Sequence, residues 1–322
     1  MPSVSTELGT APLTLVLVTC NSGRWLGPFF ESWKSAVATC TELARTPMVV
    51  ADAGSTDETV RVIAKMCPDA RVLTVGNIGY GAAGNVAVEM VNTPWFLLCN
   101  PDLTFPGEFV DEFLRPLVVN NQRKAKPGAE AGGMPALRNA GVPTALVAPL
   151  ILNPDGSVQP SVGRFPTIGG MLRDQFRDRG RRKYCFPQPV EAAAIDWATG
   201  ACLLINRDAF VQVGGFDSKF FLYMEEVDLQ RRLVAAGYQN WFCPGTDAVR
   251  GGVIHHAPNA NRTPRPQVQR WAARGVLRYF AKHGNALQML ACRGLIMLAR
   301  RLPVGEVCAS RQTILARLTG PE

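Results

Sequence analysis

Four short apolar runs, residues 13–19, 48–51, 71–75 and 95–99, are separated by segments of helical length and spacing at 25–40, 56–66 and 81–91. Runs this apolar suit strands that are covered on both faces. A helix between two such strands carries the chain back across the sheet, so successive strands come out parallel. The first part of the chain is therefore predicted to fold as βαβαβ, an α/β arrangement with a mostly parallel sheet flanked by helices. Ser55 and Thr56 ahead of Asp57 and Glu58 mark a capped helix start at Thr56.

Residues 121–144, rich in Ala, Gly, Pro and Lys, read as an exposed loop within the same domain. Strand-like runs follow at 146–152, 201–206 and 249–255, with a helix at 223–236. Past Ala257 the pattern changes to basic helices at 267–283 and 286–301. The expected organisation is a flexible N-terminus over 1–12, one α/β domain over 13–261 and a basic helical extension over 262–322.

The 322-residue chain is 47% hydrophobic, enough for one large core or a core with an appendage, and its formal charge is +8. From Arg262 onward eleven Lys and Arg face only Glu306 and Glu322, so the extension carries +9 and the rest about −1 by difference. A tail this basic suits an anionic partner. Nine cysteines show no CxxC pair or zinc spacing, and the first twelve residues lack the basic start and apolar core of a signal peptide. Reduced cytosolic thiols are expected. The longest apolar stretch, 286–299, contains Arg293 and falls short of the roughly 20 residues that span a bilayer.

Ligands of an open parallel sheet bind at the carboxyl ends of its strands. Here those ends carry Thr19-Cys20-Asn21, then Asp52-Ala53-Gly54-Ser55-Thr56-Asp57, then Gly76-Asn77-Ile78-Gly79-Tyr80-Gly81, then Asn100-Pro101-Asp102. Any one of these could be a turn or a helix cap. Four on one edge point to a ligand site. The GxGxxG match at 79–84 follows the third strand, and no acidic residue follows after a further strand, which argues against a nicotinamide dehydrogenase. Asp102 ends a very apolar strand, where an unpaired buried carboxylate would be costly and a divalent ion is its natural partner; a Pro-Asp turn is the alternative. Glu225, Glu226 and Asp228 crowd behind the apolar FFLYM. Like charges so close hold a proton, a metal or a positive partner.

The segments VADAGSTD, GNIGYGAAGN, LLCNPD, DWATGACLLINRDAFVQVGGFD and FFLYMEEVDLQRRL, in this order, resemble the family 2 glycosyltransferases of the GT-A fold, a Rossmann-like nucleotide-binding architecture. Together with VAPLILNPDGSVQPSVGRFPT they are most similar to the bacterial rhamnosyltransferase branch, over about residues 13–257. The resemblance implies an inverting, metal-dependent enzyme that uses Mg²⁺ or Mn²⁺. It would move L-rhamnose from dTDP-L-rhamnose to N-acetylglucosamine on a polyprenyl diphosphate, in the synthesis of a cell-wall linker. An anionic membrane surface is the further partner implied, with no nucleic acid and a peripheral location at the inner face of the plasma membrane. Another nucleotide sugar and polysaccharide acceptor is the alternative within the family.

The resemblance also assigns roles. Asp52 reads the base, with Thr19, Asn21 and Ser55 on the neighbouring turns, while Asn77, Gly79, Gly81 and Asn85 line the nucleotide and sugar. Asn100 and Asp102 stand in place of the DxD motif, so Asp102 alone offers a carboxylate to the ion, with His255 and His256 beside the metal or diphosphate. Glu226 occupies the general-base position, Glu225 is the alternative base, and Asp228 completes the catalytic cluster. Asp196, Trp197 and Gly200 fall on the acceptor side, although a lone Trp is as often core as platform. Asn259-Ala260-Asn261 depart from the Ser or Thr common after the His pair.

The basic run Arg173, Arg177, Arg179, Arg181, Arg182 and Lys183 is either a solvated loop or a grip on the acceptor diphosphate or anionic head groups. Apolar residues in 286–301 wrap too far around the helix for a clean interfacial stripe, so docking on the body or on a second copy in a homodimer both stay open. Two other classes fit less well. A sugar nucleotidyltransferase should show a Gly-rich, Arg- and Lys-bearing loop after the first strand, where this chain has CNSGRW, and a non-catalytic nucleotide-binding protein would not need Asp102 and Glu226 together.

Overall fold

Strand β1 (Leu13–Thr19) is buried along its whole length, with Leu13, Leu15 and Leu17 in one core cluster and Val16 and Val18 in another. Successive side chains of a strand point to opposite faces, so a strand without polar alternation must be covered on both. The computed structural model describes residues 11–119, 142–174, 184, 190–245, 251–256 and 265–301. In chain order β1 is followed by α1 (Gly23–Val37), β2 (Met48–Asp52), α2 (Thr59–Met66), β3 (Arg71–Thr74), α3 (Tyr80–Val88), β4 (Trp95–Cys99), β5 (Leu103–Thr104) and α4 (Val110–Val119), a wide π-type helix. Next come β6 (Thr144–Pro149), β7 (Ile151–Leu152), β8 (Val162–Gly163), α5 (Ile168–Asp174), β9 (Ala193–Ile195), β10 (Trp197–Ala198), β11 (Cys202–Asn206) and α6 (Arg207–Gln212). The last are α7 (Glu225–Ala235), β12 (Gln239–Cys243), β13 (Val253–His255), α8 (Arg265–His283) and α9 (Ala286–Arg301).

The main sheet has eight strands in the order β3-β2-β1-β4-β11-β6-β12-β9. The β1–β2, β2–β3, β1–β4 and β6–β12 pairs are parallel, while β11 runs antiparallel to β4 and β6, and β9 to β12. Phe29 and Phe30 of α1 and Phe113 and Leu114 of α4 cover one face; Ala83 of α3, Phe210 of α6 and Leu229 and Leu233 of α7 cover the other. The expected α/β architecture with its C-terminal helices is present.

Several boundaries differ from the expected ones. Helix α2 begins at Thr59, not Thr56, because Thr56 and Asp57 bond to the Asn21 side chain and Asp57 Oδ1 accepts the Thr59 N–H at 3.0 Å. The single run expected at 146–152 splits at Leu150 into β6 and β7, which join different sheets. Only Val253–His255 of the strand expected at 249–255 is a strand, and Val249 and Arg250 lie outside the described residues. Most of the expected loop at 121–144 and the N-terminus up to residue 10 also lie outside them. Among the described residues no helix is long and apolar enough to cross a membrane.

The C-terminal helices dock on the body. Tyr279, Phe280 and Cys292 form a third core cluster with Trp197, Phe220 and Val227. Asp217 accepts from Arg278 at 2.7 Å and from Lys282 at 3.1 Å. Gly275 permits the close approach, since a Cβ there would lie 2.5 Å from the Tyr223 carbonyl.

Candidate active site

Strand β1 has β2 on one side and β4 on the other, so the crossovers diverge between β1 and β4 and leave a crevice at their carboxyl ends. The turns after β1 and β2 interlock there. Asp52 is buried; its Oδ1 accepts the Thr19 hydroxyl at 2.9 Å and its Oδ2 the Ser55 N–H at 2.9 Å. Asn21, at φ 51°, donates its N–H to Ser55 Oγ and accepts the Thr56 N–H, each at 2.8 Å. Thr19, Asn21, Asp52 and Ser55 are thus brought together as expected. Because both Asp52 oxygens already have partners within the chain, its carboxylate shapes this turn from beneath.

The loop after β3 closes the next side. Gly79 has φ 97°, and a Cβ there would lie 2.5 Å from the Phe221 carbonyl, to which the Tyr80 N–H donates at 3.0 Å. Only glycine fits such a contact. Gly81 is held as closely, since its Cβ would meet Phe216 at 2.9 Å and the Glu225 side chain at 3.3 Å. Asn77 is exposed at the lip. Asn85, expected on the nucleotide sugar, is engaged within the chain instead. Its Oδ1 accepts the Phe216 N–H and its Nδ2 donates to the Phe216 carbonyl, both at 2.8 Å. It clamps the segment that leads to the acidic cluster.

That cluster opens α7. Tyr223 and Met224 precede it with φ of 71° and 74°, two consecutive non-glycine residues in the left-handed region and a store of backbone strain. The turn delivers Glu225 and Glu226 to the first turn of the helix, where exposed N–H groups and the helix dipole favour negative charge. Glu226 is buried, and its Oε2 has no hydrogen-bond partner among the described residues. A Cβ on Gly200 would lie 3.7 Å from Glu226 Cβ and 3.8 Å from Tyr80 Cε1. The Tyr80 hydroxyl donates to the Gly200 carbonyl at 3.1 Å. Burial and then the nearby Glu225, Cys99, Glu226 and Asp102 push that phenol well above its ordinary pKa. Tyr80 therefore marks the point where the carboxylates of the α7 start and of the turn after β4 converge. The sequence pattern alone did not single it out, although its place between two glycines is a signal that could have done so.

Asp102 faces this centre from the β4 edge. Its Oδ1 is buried without a hydrogen-bond partner and stands 3.4 Å from His255 Nε2, while His255 Nδ1 is 3.2 Å from Gln159 Oε1. Among the described residues no group of three or more His, Cys, Asp and Glu could hold an ion. A hard divalent cation that takes one or two protein ligands and fills its shell with diphosphate and water still fits an orphaned carboxylate oxygen beside an imidazole. His256 does not join them. Its Nε2 is 2.8 Å from Thr104 Oγ1 and its ring stacks on Trp25 at 6.3 Å, so of the two histidines expected beside the metal only His255 stands against Asp102. Asn100 sits beside this edge, its N–H bonded to the Ala201 carbonyl.

Two further expectations are corrected. Asp228 is fully buried and held by Arg232 at 2.8 Å, Lys282 at 2.9 Å and His283 at 2.7 Å, so it anchors α8 to α7 and is not available to a substrate. Trp197 is 1% exposed, and its indole N–H donates to the Arg164 carbonyl at 2.8 Å, which makes it core and not an acceptor platform. Asp196 Oδ2 accepts the Phe165 N–H beside it. Of the basic run only Arg173 belongs to the described residues, and Asn259-Ala260-Asn261 lie outside them.

The chain is similar in sequence to known proteins. The model of the family described as glycosyl transferase family 2 matches residues 14–127. Over 259 residues the chain is 32% identical to the N-acetylglucosaminyl-diphospho-decaprenol L-rhamnosyltransferase of Mycobacterium tuberculosis, covering 74% of this chain and 75% of that protein. It is 30% identical over 122 residues to rhamnosyltransferase WbbL of Escherichia coli, covering 38% of this chain and 44% of that one. Among solved structures, mannosyltransferase PcManGT from Pyrobaculum calidifontis, in complex with GDP-Man and Mn²⁺, has a TM-score of 0.49 at 12% identity, covering 96% of this chain and 79% of that one.

Proposed function

The chain belongs to glycosyl transferase family 2, and from that membership we propose that it moves L-rhamnose from dTDP-L-rhamnose to N-acetylglucosamine on a polyprenyl diphosphate, with inversion at the anomeric carbon. The likeness to the mycobacterial rhamnosyltransferase over three-quarters of that protein supports the sugar and the acceptor. The observation that carries the chemistry is that Glu226 Oε2 and Asp102 Oδ1 are buried without a hydrogen bond among the described residues and both act on Tyr80.

Glu226 acts from the acceptor side. Its Oε2 takes the proton of the attacking hydroxyl as that oxygen bonds to the anomeric carbon, while the bond from that carbon to the diphosphate oxygen breaks on the opposite face. Gly200, lacking a side chain beside Glu226, leaves room for the acceptor. Asp102 and His255 would hold Mg²⁺ or Mn²⁺ on the donor side, and the bound ion would supply Lewis-acid stabilisation of charge on the departing diphosphate. The turns at 19–21, 52–57 and 76–81 seat the nucleotide sugar. The +9 extension beyond Arg262 supports a peripheral position at an anionic membrane, where the acceptor lies.

A panel of nucleotide sugars tests the donor. A ligand at 100 times its dissociation constant adds about 2.7 kcal/mol of stability, so dTDP-L-rhamnose with Mn²⁺ should raise the melting temperature and other nucleotide sugars should not. Rhamnosylation of a synthetic polyprenyl-diphosphate N-acetylglucosamine should follow. A shift and product with a different nucleotide sugar would move the chain to another donor within the family.

A further inference from the structure

Helix α7 carries adjacent arginines with opposite surroundings. Arg232 bonds Asp228 at 2.8 Å and the carbonyls of Val213 and Gly215. Arg231 turns the other way, donating to the Tyr279 hydroxyl at 2.6 Å and to the His283 carbonyl at 3.4 Å, with its guanidinium over the Phe165 and Tyr279 rings. Among the described residues no carboxylate bonds it. Asp217 and Asp228 are taken by Arg278, Lys282, Arg232 and His283, and Asp196 is tied to the Phe165 N–H. A half-buried guanidinium whose bonds go only to neutral groups is a charge awaiting a counter-ion.

A cavity of about 140 Å³ opens over Arg231 between α5, α8 and α9. Thr167, Tyr279 and Gln288 bring a hydroxyl, a phenol and an amide to its wall, and no described lining residue is acidic. Gln288 Oε1 is occupied by the Asn285 N–H, which leaves its Nε2 as the donor. The space is far below the roughly 300 Å³ at which pockets for nucleotides or drug-sized ligands begin, and suits one phosphate group. Arg231 lies five residues beyond Glu226, about 7.5 Å further along the helix axis.

We propose that this cavity is a phosphate seat, in which Arg231, Thr167 and Gln288 receive a single phosphoryl group as free phosphate or on a lipid. The site stands apart from the identity of the sugar and its acceptor.

The test titrates inorganic phosphate into the full chain by calorimetry in sulfate-free chloride buffer. Saturable binding is expected. Arg231→Gln should weaken it about ten- to hundredfold, the factor of one charge-assisted hydrogen bond, and Arg231→Lys should restore part of it. Gln288→Glu keeps the acceptor that Asn285 uses, places a negative charge in the seat and should abolish binding; it decides the matter alone if Arg231→Gln fails to fold. Pelleting with vesicles of equal parts phosphatidylcholine and phosphatidic acid separates the sources. Pelleting that Gln288→Glu abolishes and free phosphate competes away places the phosphate on a lipid, whereas phosphate binding without such pelleting assigns the seat to a soluble anion. No saturable phosphate binding, or binding unchanged by Gln288→Glu, overturns the proposal.

Discussion

The Tyr80 hydroxyl donates to the Gly200 carbonyl at 3.1 Å, joining the start of α3 to the loop that packs beside Glu226. The two loops come from opposite halves of the chain, and this bond fixes the distance between them. Burial and the surrounding carboxylates hold the phenol protonated far above its ordinary range, so the donor is present at every working pH.

Tyr80→Phe should therefore leave the shape of the pH–rate profile unchanged from about pH 5 to about pH 9 while lowering kcat about tenfold or more through looser placement. The loss of one neutral hydrogen bond should cost about 1 kcal/mol in urea unfolding. A basic limb present in the wild type and missing in the variant would make Tyr80 a proton donor and overturn this role.

Docking of α8 should be acid-sensitive. Burial works against the Asp217 charge, but bonds from Arg278, the Lys219 N–H and Lys282 outweigh it and hold the pKa at about 2, below the ordinary 3.8. A carboxylate depressed on folding contributes stability above its unfolded pKa and loses it as pH falls through the folded one. The stability gap between wild type and Asp217→Asn should thus be full above about pH 4 and close towards about pH 2. A gap that stays constant across that window would show that ion pairing does not hold the helix.

Asp102→Asn should fold normally, since its Oδ1 has no hydrogen bond to lose. Binding of dTDP-L-rhamnose, followed by calorimetry, should lose its dependence on added Mn²⁺, and transfer should fall to background. Unchanged metal response would remove Asp102 from the ion's shell.

Much of this was legible in sequence because parallel strands covered on both faces leave continuous apolar runs, and β1 to β4 sit within a residue of the expected bounds. The turns after them were equally readable, since Asn21, Gly79 and Asp102 each interrupt the pattern where a strand ends. Helix α4 was not, because Pro116 sits inside it and its winding is π-type, which breaks the usual period. Asp228 read as catalytic because three acids in four residues look alike; only the fold shows that Asp228 meets Arg232, Lys282 and His283 while Glu226 meets Gly200 and Tyr80. His256 failed as a ligand for a similar reason. His256 lies just past the end of β13 with its ring against Thr104 and Trp25, so of the adjacent pair only the His255 ring turns to Asp102.

If Glu226 removes the acceptor proton, the turnover numbers of Glu226→Gln and Glu225→Gln should differ sharply. Glu226 Oε2 has no bond to lose, so the amide should keep the wild-type melting temperature and donor affinity. By contrast, Asp228→Asn should be destabilised by about 3–5 kcal/mol as a buried ion-pair cluster loses its anion. Against that control, kcat of Glu226→Gln should fall about 10²- to 10⁴-fold, the usual contribution of a general base, and Glu225→Gln should fall much less. Near-normal turnover in Glu226→Gln with a dead Glu225→Gln would contradict the assignment and place the base one residue earlier.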